Sequence, residues 1–256
     1  MDATLAGSRP RTEIHFHILP GIDDGPALLE DSLELAEQAR RDGTATVVAT
    51  PHVRTDFHAR VDDLPERVRE LQGHIDAAGI PISLRVGAEL GADMVGRLDQ
   101  RELDSIAHGP PGARWLLVES PFGGIDEEFA MATDELRDRG FATVLAHPER
   151  AAGVLDDDRG LRRELAAGAV LQVNASSLLG RHGGAARDAG ADLARRYAVA
   201  LASDAHGPWK PPSLRDGMAA AIELGVPAPL ARRMANSAPR ALMRNGLALP
   251  EPAVAA

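Results

Sequence analysis

Nine histidines and no cysteine define the donor chemistry this chain can offer. Donors recur at the ends of short apolar runs: His15-Phe16-His17, Pro51-His52, Glu89, Glu119, His147, Asn174 and Asp204-Ala205-His206. In an extended chain residues i and i+2 point the same way, so His15 can face one point with His17, and Asp204 with His206. Imidazole and carboxylate donors without thiolate suit Mn²⁺, Zn²⁺ or iron rather than a soft-metal site. Asp24, in the loop Gly-Ile-Asp-Asp-Gly-Pro after the first run, adds another oxygen. These are more donors than one ion uses, so two or three ions bridged by carboxylates are expected. Taken singly, Asp23 and Asp24 also fit a turn or a helix N-cap. Glu89 and Glu119 taken singly fit exposed loop acids. The recurrence of donors at strand ends of one polarity is what argues for a metal crater.

The elements that must position them alternate along the chain. Short β-rich runs cover 13–17, 45–50, 82–88, 114–119, 142–147, 169–174 and 198–203. Lacking polar alternation, they read as strands buried on both faces. Helical spacing covers 26–42, 64–78, 127–139, 159–167, 185–196 and 214–224, with Gly43, Gly79, Gly140, Gly168 and Gly225 just past helix ends, where a left-handed cap is needed. Strand–helix alternation predicts a mostly parallel sheet. Seven strands favour a closed or nearly closed barrel, whose C-terminal strand ends share one face. The expected layout is a tail over 1–12, one α/β domain over 13–248 and a tail over 249–256.

Composition excludes several classes. The net charge is −10 and Lys210 is the only lysine, so a basic nucleic-acid footprint is not expected. No apolar run approaches the length of a membrane span, and the first dozen residues lack a signal-peptide core. A cytoplasmic location is the expectation. Without cysteine, thiol nucleophiles and iron–sulfur clusters are excluded.

The segments HFHILPGIDDGP, ATPH, GAE, VESPF, AHPER, QVNASSLLG and SDAH, in this order, resemble the polymerase and histidinol phosphatase (PHP) superfamily. Within it, the chain is most similar to capsular-polysaccharide-type (CpsB/CapC-like) metal-dependent protein-tyrosine phosphatases. The resemblance implies a distorted (β/α)7 barrel and three divalent metals, commonly manganese, with zinc or iron as alternatives. It implies one ion held by His15, His17, Glu89 and Asp204. Glu89 would bridge to a second, held also by Glu119 and His147, and Asp24, His52 and His206 would hold the third. Arg150 of HPER matches a family arginine near the phosphate. Three departures stand out: Val53 replaces a usual second histidine, Gly91 a usual arginine, and Lys210 an arginine before Pro211-Pro212.

The expected activity is phosphomonoester hydrolysis by a metal-activated hydroxide, with Arg150, Asp24, His52 and His206 as the catalytic residues. Arg150, Lys210, Trp209 and Asn174 are expected at the substrate. Lys210 would reach the phosphate rim as a flexible point charge, and Trp209 would wall a phenyl ring. The expected partner is a phosphotyrosine protein, such as a bacterial tyrosine kinase tail; the oligomeric state is left open. Alternatives are a phosphatase for a small phosphomonoester such as histidinol phosphate, and a phosphopeptide- or metal-binding module. Of the other histidines, His74 and His108 are expected at the solvated surface, while His58 and His182 are candidates for the rim of the site.

Overall fold

The computed structural model describes residues 10–57, 59–156 and 158–250. Its strands are β1 (Arg11–Glu13), β2 (Thr44–Ala49), β3 (His52–Val53), β4 (Ser83–Val86), β5 (Glu89–Leu90), β6 (Trp115–Glu119), β7 (Ala142–Ala146), β8 (Val170–Asn174) and β9 (Val199–Ala202). The principal helices between them are α1 (Leu29–Arg41), α2 (Leu64–Ala77), α3 (Gln100–Ile106), α4 (Glu127–Asp138), α5 (Arg159–Ala166), α6 (Ala175–Leu178), α7 (Gly183–Arg196), α8 (Leu214–Glu223), α9 (Ala228–Arg232) and α10 (Ala238–Asn245). This is a mixed α/β fold in which every strand pairing is parallel.

The strands form two sheets, ordered β1-β2-β4 and β3-β5-β6-β7-β8-β9. Two long runs break to give this division: Thr50-Pro51 separates β2 from β3, and Gly87-Ala88 separates β4 from β5. At the far edge the chain after β1 meets the chain after β9, where Phe16 bridges Ala205 in parallel and His17 N–H donates to the Ala205 carbonyl at 2.9 Å. Arg11 and Thr12, expected in the tail, belong to β1 and are buried, because Arg11 N–H binds the Gly43 carbonyl. Short helices α3, α6, α9 and α10 escape the sequence pattern; one or two turns carry too little apolar periodicity to register.

Alternation along the strands separates two packing faces. Leu116, Val118, Leu145, Leu171, Val173, Val199 and Leu201 pack toward the helices. Trp115, Leu117, Ala142, Val144, Ala200 and Ala202 face inward with Ile14 and Val48. Helix α10 covers the start of this inner column, where Trp115 Nε1–H donates to the Leu242 carbonyl at 3.0 Å. The column is apolar where the strands begin and turns polar where they end: the positions in register with Trp115 and Leu117 finish at Glu119, and on β8 Gln172 and Asn174 alternate with Leu171 and Val173. Period-two geometry thus delivers the polar ends to one place. Among the described residues no helix is long and apolar enough to cross a membrane.

Candidate metal centre

His15 and His17 leave β1 with their rings converging, Nε2 to Nε2 at 3.2 Å. Their outer nitrogens settle the tautomers. His15 Nδ1 lies 2.8 Å from the Gln172 side-chain oxygen, and His17 Nδ1 lies 2.7 Å from Asp23 Oδ2. Both partners are acceptors, so each Nδ1 carries the proton and each neutral ring turns a bare Nε2 inward. What the bare nitrogens meet is also an acceptor: Glu89 Oε2 lies 3.1 Å from His15 Nε2 and 3.3 Å from His17 Nε2, and Asp204 Oδ1 lies 3.2 and 3.4 Å away.

Two further histidines close the arrangement. His52 Nδ1 is 3.1 Å from Glu89 Oε2, and His147 Nε2 is 2.8 Å from Glu89 Oε1. Glu89, fully buried, therefore faces histidines through both oxygens. On the outer side, Asp24 Oδ1 lies 3.2 Å from His206 Nε2 and 3.6 Å from His52 Nε2. Three donor groups result: His15, His17, Glu89 and Asp204; His17, Asp24, His52 and His206; and His52, Glu89 and Glu119. The second and third differ from the sets the resemblance implies. His52 and His17 each serve two groups, and His147 meets Glu89 through Oε1.

The backbone contributes to the aim. His147 and Asp204 have φ of 37° and 52°, the only described non-glycine residues at positive φ. Such a conformation costs about 1–3 kcal/mol. It replaces a regular strand ending at both positions, so Asp204 and His206 reach the site through a kink rather than through strand alternation.

The donor set fits divalent cations. Glu89 Oε2, Asp204 Oδ1 and His52 Nδ1 are buried without a hydrogen-bond partner, a burden of about 1–3 kcal/mol for each atom. A cation among them would meet lone pairs on every side. Electrostatics say the same. Burial alone would lower His15 and His17, but Asp204 and Glu89 at His15, and Asp204, Asp23 and Glu89 at His17, more than offset it, and His17 stands well above the usual imidazole range. For Asp24, burial is outweighed by His206, His52 and His17, which hold its carboxyl at about 2. Burial and the neighbouring Glu89 push Glu119 up to about 7 against the pull of Arg54.

The expected substrate residues are spread differently. Arg150 lies 4.6 Å over the Phe122 ring, with Nη1 3.8 Å from Asp204 Oδ2. Trp209 is 65% exposed beside His206, ring centroids 5.3 Å apart. Lys210 is neither solvated nor flexible: it is 6% exposed, and its Nζ donates to Asp204 Oδ2 at 2.5 Å. Asn174 is not at the rim. It is fully buried, with Nδ2 donating to Asp204 Oδ2 at 2.6 Å and Oδ1 accepting from Gln172 Nε2, so its amide is spent on positioning Asp204.

His182 is half-buried, with Nδ1 2.9 Å from Ser177 Oγ, and shares a cleft of about 630 Å³ with Arg150 and Phe122. His74 is exposed as expected, and His58 lies outside the described residues. His108 corrects the expectation of a solvated residue. The turn after it brings His108 and Trp115 into an antiparallel bridge, and the imidazole packs at 4.9 Å from the indole.

Sequence reasoning did not single out Asp23 as the His17 acceptor, Gln172 as the His15 acceptor, or Arg54, whose Nη1 donates to Glu119 Oε2 at 2.7 Å. Gln172 had a legible signal, a polar residue two before Asn174 in an apolar strand. Arg54 had none.

The capsular polysaccharide synthesis family model, CpsB/CapC, matches residues 11–244. The chain is 31% identical over 201 residues to the putative tyrosine-protein phosphatase CapC of Staphylococcus aureus, covering 76% of each chain. It is 30% identical over 177 residues to the tyrosine-protein phosphatase YwqE of Bacillus subtilis, covering 67% of each. In three dimensions it is similar to a chain from the crystal structures of YwqE from B. subtilis and CpsB from Streptococcus pneumoniae, described as unique metal-dependent tyrosine phosphatases. That likeness has a TM-score of 0.79 at 24% identity, over 95% of this chain and 100% of the other. A phosphotriesterase homology protein from Escherichia coli shares the fold more distantly, with a TM-score of 0.56 at 13% identity over 90% and 97% of the two chains. The match over almost the whole length, together with the 31% identical relative, establishes that this chain belongs to the CpsB/CapC family of capsular polysaccharide synthesis.

Proposed function

We propose that this protein is a metal-dependent tyrosine-protein phosphatase, acting in the cytoplasm on phosphotyrosine in a protein of the capsule or exopolysaccharide system. The observation that carries the reading is the ring of inward-facing lone pairs around Glu89 Oε2, with nitrogens of His15, His17 and His52 at 3.1–3.3 Å. The names of the family's relatives support the reaction and the substrate class. The fold is read more finely as a distorted (β/α)7 barrel, supported by the two broken runs and the Phe16–Ala205 bridge between the sheet edges.

Three divalent ions, with manganese first, are assigned to the three donor groups. When bound there, they neutralise phosphate oxygens and supply a hydroxide at neutral pH. The chain's own residues do the rest. Asp23 and Gln172 fix the tautomers of His17 and His15, so the ligand nitrogens are presented bare. Asn174 and Lys210 hold Asp204 Oδ2 and leave Oδ1 to face the cluster. Arg150, held over Phe122, offers its guanidinium to the equatorial phosphoryl oxygens, where charge gathers in the transition state. Phe122 and Trp209, 48% and 65% exposed, provide apolar walls for a phenyl ring at an open site. Phenolate leaves readily, which suits a site with no assigned proton donor.

The test is a side-by-side assay on a phosphotyrosine peptide and histidinol phosphate, with Mn²⁺ supplied and then chelated. Turnover of the peptide that vanishes on chelation and returns with Mn²⁺ is expected. A preference for histidinol phosphate would reassign the substrate, and full activity after exhaustive chelation would remove the metal mechanism.

A further inference from the structure

Arg54 lies outside every expected ligand set, yet it is the cation in direct contact with Glu119. Its Nη1 donates to Glu119 Oε2 at 2.7 Å, while Nε and Nη2 donate to Asp56 Oδ1 and Oδ2, both at 2.9 Å. Asp56 grips one edge of the guanidinium in a two-pronged contact and so turns the opposite side toward Glu119. Room for this arrangement comes from across the strand pair. Val53 on β3 is in register with Leu90 on β5, and Gly91 N–H donates to the Val53 carbonyl at 3.0 Å. A Cβ at Gly91 would meet Asp93 Oδ1 first and would stand 2.6 Å from Arg54 Cγ. The Gly91 backbone, at φ −71° and ψ 142°, is one any residue adopts. Space for the Asp93 carboxylate and the Arg54 stem, not backbone strain, is what favours glycine there. The arginine that the resemblance places at 91 is absent, and an arginine on the neighbouring segment fills the same space.

The geometry points to Arg54 as the positioning residue for Glu119: seated over Gly91 and braced by Asp56, it aims that carboxylate at the ion shared by His52, Glu89 and Glu119. This rests on the metal-centre reading above. Glu119 is buried and shares its group with a second carboxylate, Glu89. Two like charges at that range repel, so Glu119 needs a fixed cation to stay turned inward while the site fills. Arg54 supplies it at Oε2, the oxygen that also lies 4.0 Å from His52 Nδ1.

The experiment is Mn²⁺ titration by calorimetry, with bound ions counted by atomic emission, on wild type, Arg54→Ala, Gly91→Ala and the double variant. Circular dichroism and thermal melts confirm that each is folded. Arg54→Ala should weaken one ion by about tenfold or more, the size seen when residues behind metal ligands are removed, and leave the others in place. Gly91→Ala keeps the guanidinium but displaces its stem, so it should show a similar loss. The double variant should lose less than the sum of the two single losses, because the Gly91 change acts in part through the Arg54 stem. Arg54→Lys should recover only part of the loss, since an ammonium cannot hold Asp56 and Glu119 in one planar fork. A wild type that binds no divalent ion would remove the metal centre itself. A wild type that binds ions, beside an Arg54→Ala that binds the same number with the same affinity, would overturn the positioning role alone. Additive losses in the double variant would overturn it too, by separating Gly91 from Arg54.

Discussion

Glu89 and Lys210 make opposite demands on the cluster. Glu89 faces His15, His17 and His52 through Oε2 and His147 through Oε1, so it belongs to more of the site than any other side chain. Glu89→Gln keeps the shape and removes the charge. We expect it to lower kcat/KM on an aryl phosphate by about a thousandfold or more, which is about 4 kcal/mol of transition-state stabilisation. A loss of less than tenfold would show that no ion depends on this carboxylate. Lys210 is the nearer of two permanent cations on Asp204 Oδ2, with Arg150 Nη1 at 3.8 Å. Breaking a buried pair costs about 3–5 kcal/mol when the remaining charge is left alone. Lys210→Met should therefore destabilise chelator-treated protein by roughly 3 kcal/mol and Mn²⁺-loaded protein by much less, because a bound cation takes over the compensation. Equal shifts of Tm in both states would place the Lys210 contact outside the metal's reach. Since Lys210 is buried, Lys210→Arg is expected to be costly as well: the planar fork must fit a space shaped by an ammonium.

At the scale of elements, the break between β4 and β5 is held by a close approach. A Cβ on Gly87 would meet Val48 Cγ1 at 2.6 Å and His108 Nε2 at 2.8 Å. Gly87→Ala should force β2, β4 and the His108 turn apart and cost about 1–3 kcal/mol, as overpacking does; an unchanged denaturant midpoint would refute that. His108 gives this region a pH dependence. Burial, helped by Arg114, lowers its imidazole to about 4. Between pH 6.5 and 4 the unfolded chain therefore binds a proton that the folded chain refuses. Stability from this group is fully present above pH 6.5 and is lost as pH falls toward 4, by roughly 3 kcal/mol at about 1.4 kcal/mol per pH unit. His108→Phe, which keeps the ring on Trp115, should flatten the melting profile in that window. A wild-type-like slope in the variant would assign the acid sensitivity to other groups.

For the whole molecule, the ligands couple folding to metal. Asp204 and Glu89, joined at His17 by Asp23, raise the imidazoles of His15 and His17 against burial. Protons compete with metal for the inward nitrogens, so binding should weaken as pH falls. Mn²⁺ at a hundredfold excess over its Kd should stabilise the fold by about 2.7 kcal/mol per site, read as a rise in Tm that shrinks on acidification. A Tm indifferent to Mn²⁺ at neutral pH would mean that the groups do not bind it.

Much of this was legible in the chain. Apolar runs bounded by glycines located the long strands and helices within a residue or a few, because buried strands and amphipathic helices must carry those patterns wherever they fold. Donors at the run ends marked His15, His17, His52, Glu89, Glu119, His147, Asp204 and His206, and the structure brings all of them together. That followed because parallel strands end on one side. What the sequence could not decide is pairwise and three-dimensional. Asp23 and Asp24 are adjacent in sequence, yet one fixes the proton on His17 and the other faces His206. Lys210 reads as a flexible point charge at the phosphate rim until Asp204 is found 2.5 Å away. His108 reads as surface until a turn lays it on Trp115. The left-handed turns at His147 and Asp204 leave no local signal, since neither residue type demands them. Periodicity is written along one chain and survives translation into a string. Which carboxylate meets which imidazole, and which cation neutralises it, depends on distances between segments far apart in sequence, and only the tertiary structure sets those.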